Sequence, residues 1–118
     1  MAADEPVLDP SALAALEEVV GAAASAEIAR LFREDSESRV ARGSAALAVG
    51  DLAAVAREFH ALKSSAATLG ARRLSALAAR LEAAGLAGDV IVARQVGSGL
   101  DATLRATLDA LAGSRAAA

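Results

Sequence analysis

The side chains best suited to chemistry gather between Asp51 and Leu69, a stretch that contains the chain's single histidine, His60. Ala56 and Arg57 stand four and three positions before it, and Lys63 and Ser64 three and four positions after it. Residues at those separations share a helix face. The imidazole would therefore have two cations and two small side chains as neighbours. A neutral imidazole is a good nucleophile near pH 7, and cations stabilise the oxygens of a phosphoryl group, so the pattern suits a side chain that reaches into another protein and holds phosphate. A bulky residue at position 64 would hinder that approach. A lone surface histidine is nevertheless more often an ordinary solvated side chain, and Arg57 and Lys63 alone fit solvating charges equally well.

Whether His60 faces outward depends on its helix. Leu52, Val55, Phe59, Leu62, Ala66 and Leu69 follow one another at three- and four-residue steps, the pattern of a buried helical stripe. His60 comes one residue after Phe59, about 100° away around the helix, which takes it off the stripe toward solvent.

Helix punctuation extends the same reading along the chain. Asp9-Pro10 predicts a cap and first turn for a short helix ending near Gly21. Ser25 is a candidate cap for a longer helix through Ile28, Leu31, Phe32, Val40 and Leu47 to about Gly50, with Ser36, Ser38 and Gly43 weakening its middle. Gly50-Asp51 ends that helix and caps the next, Leu69-Gly70-Ala71 breaks again, and Asp89 caps a last helix reaching about Leu111. Gly97 and Gly99 each cost that helix about 1 kcal/mol relative to Ala, so its middle is either loose or closely packed. The expectation is five helices, all-α, forming an antiparallel four-helix bundle with a short additional N-terminal helix. One domain spans 1–118, ordered over about 8–112, with Ser114 to Ala118 as a tail.

Composition narrows the function classes. The chain has 118 residues, of which 55% are hydrophobic and only 2% aromatic, with alanine the commonest; many small apolar side chains favour closely packed helices. A net charge of −3 argues against a general nucleic-acid binder, which needs a basic surface. Cysteine is absent, so disulfides and thiolate metal sites are excluded. The acidic start, with Asp4, Glu5 and Asp9, is unlike a secretory signal, and no apolar run approaches the roughly 20 residues of a membrane span. A cytoplasmic protein with no membrane partner is expected, and Met1 with its polar start suggests a complete small protein.

The run His60-Ala61-Leu62-Lys63-Ser64-Ser65-Ala66-Ala67-Thr68-Leu69-Gly70-Ala71 is similar to the signature of histidine-containing phosphotransfer (HPt) domains: His, an apolar position, Lys, a small residue and Ser before a Leu-Gly-Ala break. Leu8-Asp9-Pro10, Gly50-Asp51-Leu52, and Leu74, Leu77 and Leu81 also fall where that family would place them. The resemblance implies a phosphorelay intermediate that accepts a phosphoryl group on His60 from one receiver-domain aspartate and passes it to another. Lys63 would neutralise the phosphoryl group, and Ser64 would take the place of the family's usual Gly beside the ring, a departure that leaves access open. It implies a carrier and not a kinase, and no Walker-type Gly-Lys-Ser/Thr sequence is present. Its partners would be response-regulator receiver domains and a sensor or hybrid histidine kinase. The receiver would supply Mg²⁺, leaving the carrier, expected to be a monomer, with no cofactor of its own.

Docking is expected on the face around Ala56, Arg57, His60, Lys63, Ser64 and Ala67. Arg80, on the flank of the Leu74, Leu77, Ala78 and Leu81 stripe with Arg73 and Ala76, is a further docking cation or a plain solvated one. A competing class is an HPt-fold interaction module that carries no phosphate, against which the presence of both His60 and Lys63 argues. Another is the dimerisation and phosphoacceptor part of a histidine kinase, where an acidic residue normally follows the His and a Pro comes soon after. Here Ala61 follows, and no Pro appears after Pro10.

Overall fold

The computed structural model describes residues 5–117. Six helices run over them: α1 (Pro10–Val20), α2 (Ala22–Val49), α3 (Leu52–Thr68), α4 (Arg72–Ala87), α5 (Val90–Gly97) and α6 (Leu100–Ala117). Three begin on the predicted aspartates. Asp9 Oδ1 accepts from the Ser11 amide at 3.0 Å, Asp51 Oδ1 from Ala54 at 3.2 Å and Asp89 Oδ1 from Val92 at 3.0 Å, each satisfying a first-turn N–H that the helix itself leaves free.

Two expectations about helix boundaries are corrected. Ser25 does not cap α2: Gly21 does, and Ser25 lies buried in the first turn, its amide bonded to the Gly21 carbonyl at 3.0 Å. The last helix is also divided, into α5 and α6, at Ser98-Gly99. There the Ser98 and Gly99 amides reach carbonyls only three residues back, Gln95 and Val96, each at 3.4 Å. Close packing explains the glycine before the break, since a Cβ at Gly97 would lie 2.6 Å from Leu47 Cδ2. The helix predicted to end near Leu111 continues through Ala117, so Ser114 to Ala117 belong to α6; Ala118 lies outside the described residues, as do residues 1–4, which include Asp4 of the acidic start.

Four layers close a ring: α2 packs on α3, α3 on α4, α4 on α5 and α6, and these two back on α2, while α1 lies on α2. This neighbour pattern is that of a four-helix bundle whose last member is broken, with α1 added outside. Val55, Phe59, Leu62 and Ala66 of α3 and Leu69 just after it meet Leu74, Leu77, Ala78 and Leu81 of α4 in the core, both stripes as the periodicity predicts. Phe32, Val40, Leu100, Leu108 and Leu111 close the other side. Among the described residues, no helix is long and apolar enough to cross a membrane.

Two glycines set how closely the helices approach. Gly43 of α2 makes room for the Phe59 ring, because a Cβ there would come within 2.5 Å of it. Gly85 of α4 lets the α3 backbone in, as a Cβ would meet the Leu52 carbonyl at 2.9 Å and the Ala56 amide at 3.0 Å. The α3–α4 turn is held at Gly70, whose φ of 73° suits glycine and whose carbonyl accepts from the Asp9 amide at 2.7 Å. These contacts bring one face of α3 and one seam of α4 into fixed register.

Candidate functional site

The rotation of α3 about its own axis is set by Phe59 on one side and Glu58 on another. Glu58 accepts from Arg42 Nε at 3.1 Å and from Arg39 Nη1 at 3.2 Å, both on α2, and Arg39 Nε in turn donates to Asp35 at 2.9 Å. The Arg42 hydrogen bonds, supplemented by Arg39, hold the Glu58 carboxyl below the usual glutamate range against the opposing effect of burial. With α3 pinned in this way, the next residue, His60, turns away from α2 and stands on an open face, its side chain 65% exposed.

Across the seam with α4, Glu82 touches both functional candidates of α3. Its Oε2 lies 2.6 Å from His60 Nδ1 and its Oε1 lies 2.5 Å from Lys63 Nζ. The ammonium of Lys63, and secondarily the imidazole, keep the Glu82 carboxyl below its ordinary value despite partial burial. An ionised carboxylate only accepts hydrogen bonds, so the proton in this contact belongs to His60 Nδ1. Nε2 is left free to carry a lone pair, and it has no partner among the described residues. The seam is closed further along by Ser75 Oγ of α4, which donates to the Lys63 carbonyl at 3.1 Å.

The remaining predicted residues divide into two groups. Arg57, Ser64 and Ala67 are exposed on the His60 face, and Arg57 has no hydrogen-bond or ion-pair partner among the described residues. The Ser64 hydroxyl donates back to the His60 carbonyl at 3.4 Å, so the side chain lies close to its own helix and leaves the approach to the ring open. Ala56, by contrast, is not on the open face. It is buried beneath Gly85, where the close approach of α3 and α4 covers it. Arg80 does not join this face either. It lines the groove between α4 and α5–α6 with Arg73, Val92 and Gln95, on the side of α4 opposite Glu82.

Glu82 is the residue that sequence reasoning missed. A signal for it exists: it directly follows the core residue Leu81, as His60 directly follows the core residue Phe59. On two antiparallel helices packed side by side, one step past each core stripe brings the two residues to the same seam. Which side of the bundle that seam faces depends on the handedness of the packing, and the spacing does not carry it. Among the described residues, no group of three or more His, Asp or Glu side chains is placed to hold a metal ion.

The chain is similar to known proteins over most of its length. The family model described as Hpt domain matches residues 27–114, most of the chain and all of α3 and α4. No curated protein matches the sequence. Among solved structures, the chain is similar to the crystal structure of histidine-containing phosphotransfer protein B (HptB) from Pseudomonas aeruginosa PAO1. The two share 25% sequence identity and superpose with a TM-score of 0.89 over 98% of this chain and 99% of that one.

Proposed function

The chain belongs to the Hpt domain family of phosphorelay intermediates, and from that premise we propose that its phosphoryl group rides on Nε2 of His60. The observation that carries this assignment is the 2.6 Å contact between His60 Nδ1 and Glu82, which spends the proton-bearing nitrogen on the protein and presents the other to solvent.

In the accepting step, the Nε2 lone pair attacks the phosphorus of an aspartyl phosphate on a receiver domain. The N–P bond forms as the P–O bond to that aspartate breaks, and the receiver's carboxylate leaves with the electron pair. The Nδ1 proton stays where it is, between the ring and Glu82. In the donating step, a second receiver's aspartate attacks the phosphorus in line, the N–P bond breaks, and imidazole departs neutral because Nδ1 still carries its proton. Lys63 stands one turn from the ring and supplies positive charge to the phosphoryl oxygens in both directions. Ser64 keeps the approach low, and Arg57 and Ala67 flank it as docking residues. The carboxylates and Mg²⁺ for the chemistry come from the receiver, so the protein acts as a carrier without kinase activity of its own. Its upstream partner is a sensor or hybrid histidine kinase, or a receiver domain fused to one.

The test is phosphotransfer from a labelled receiver domain in the presence of Mg²⁺. Wild type acquires acid-labile label, and His60→Gln, which retains a hydrogen-bonding side chain of similar reach, acquires none. If neither protein is labelled across a panel of receivers while both stay folded and still bind one, the chain is an interaction module with the carrier's fold.

A further inference from the structure

Glu82 places a negative charge beside the ring that would carry a phosphoryl group. The group to be held on Nε2 is a dianion, yet the side chain nearest the ring from α4 is a carboxylate, and that carboxylate also occupies Lys63, the cation best placed to receive the phosphoryl group. The Lys63 ammonium has three donors but a single charge, and its 2.5 Å ion pair with Glu82 must be shared or exchanged once a phosphoryl group arrives. The other charged groups do not compensate fully. Arg57, one turn earlier on α3, adds a cation to the open face, whereas Arg80 lies on the far side of α4.

Resting on the carrier reading above, we propose that Glu82 is a positioning residue that sets the phosphoryl-transfer equilibrium, driving the group off His60 and onto the receiver. Two physical effects oppose each other, and the first is the larger. The negative charge repels the doubly charged phosphoryl group and competes with it for Lys63. The same carboxylate attracts the single positive charge that the ring gains on phosphorylation while Nδ1 keeps its proton. Glu82 therefore makes His60 a site that loads briefly and discharges readily.

Glu82→Gln separates these roles from plain support. The amide is nearly the same shape and its oxygen still accepts from Nδ1–H, but the charge is gone and Lys63 is released to the phosphoryl group. With a single purified receiver and Mg²⁺, the readout is the equilibrium ratio of phosphorylated His60 to phosphorylated receiver. In the variant this ratio rises by about tenfold, the scale of one charge interaction at a partly exposed site. Lys63→Met moves the ratio the other way, by removing the cation that the phosphoryl group gains. A structural role for Glu82 alone would change rates and melting temperature but not this ratio. An unchanged or lowered ratio in Glu82→Gln, with wild type labelled normally, overturns the proposal and leaves the carrier reading intact. Absence of label on wild type across the panel of receivers removes both.

Discussion

At the scale of single residues, the proposed site is His60 with Glu82 against its ring and Lys63 sharing that carboxylate. His60 owes its outward direction to its place one step past Phe59, and its free nitrogen to Glu82. Ser64 stands exposed one turn from His60, and in that place the size of the side chain is the property that matters. Ser64→Phe would raise an aromatic ring over the approach to Nε2 and displace the attacking groups by more than the near-contact geometry tolerates. We expect it to slow transfer by about a hundredfold, with Ser64→Gly at or above the wild-type rate. Rapid-quench phosphotransfer checks this, and the melting temperature of Ser64→Phe should stay close to wild type because the position is exposed. An unimpaired Ser64→Phe would mean that receivers reach His60 from another side.

At the scale of elements, the site depends on two interfaces of α3, each closed by packing at a glycine and by charge. Toward α4, Gly85 admits Leu52 and Ala56, and Glu82 pairs with Lys63. Toward α2, Gly43 admits Phe59, and Glu58 pairs with Arg39 and Arg42. The Glu58 cluster makes a pH-dependent contribution whose sign follows from its lowered folded-state value. The stabilisation is complete above the ordinary unfolded value, about 4.3, and is lost as pH falls from there through the depressed folded one. Glu58→Gln should therefore lower the unfolding free energy at pH 7 by about 1–2 kcal/mol, since it removes charge-assisted hydrogen bonds that are only partly shielded from water. At a pH below the folded-state value, the difference from wild type should vanish. Urea titrations of both proteins at neutral and acid pH measure this directly; a difference that persists undiminished in acid would assign the effect to packing and not to charge.

For the whole molecule, the question is whether one chain closes its own core. The ring of α2, α3, α4 and α5–α6 buries Phe32, Val40, Phe59 and leucines of α3, α4 and α6 without a second copy, unlike a phosphoacceptor helix pair that must dimerise to form a bundle. Light scattering at tens of micromolar should return the 11.7 kDa of a single chain, with or without phosphorylation. A mass of twice that value would show a dimer, with exposed apolar residues such as Val49, Leu86 and Ile91 as the first candidates for its interface, and would reopen the histidine-kinase comparison. A monomer leaves the His60 face free to engage kinase-side and output-side receivers in turn.

The sequence by itself determined the helical class, the three aspartate caps, the stripes of α3 and α4, and the outward direction of His60 with Lys63 and Ser64 beside it. All of these depend on residues within a turn or two of one another, where the helical period alone relates position to direction. Tertiary structure decided what the period does not reach. It buried Ala56 under Gly85, turned Arg80 into a different groove, divided the last helix where Gly97 meets Leu47, and seated Ser25 inside α2. It also placed Glu82, 22 residues from His60 in the chain, against the ring and the lysine together. That contact comes from the packing of two antiparallel helices, whose relative rotation is set by the volumes of the side chains between them, a property of the pair that neither helix carries alone.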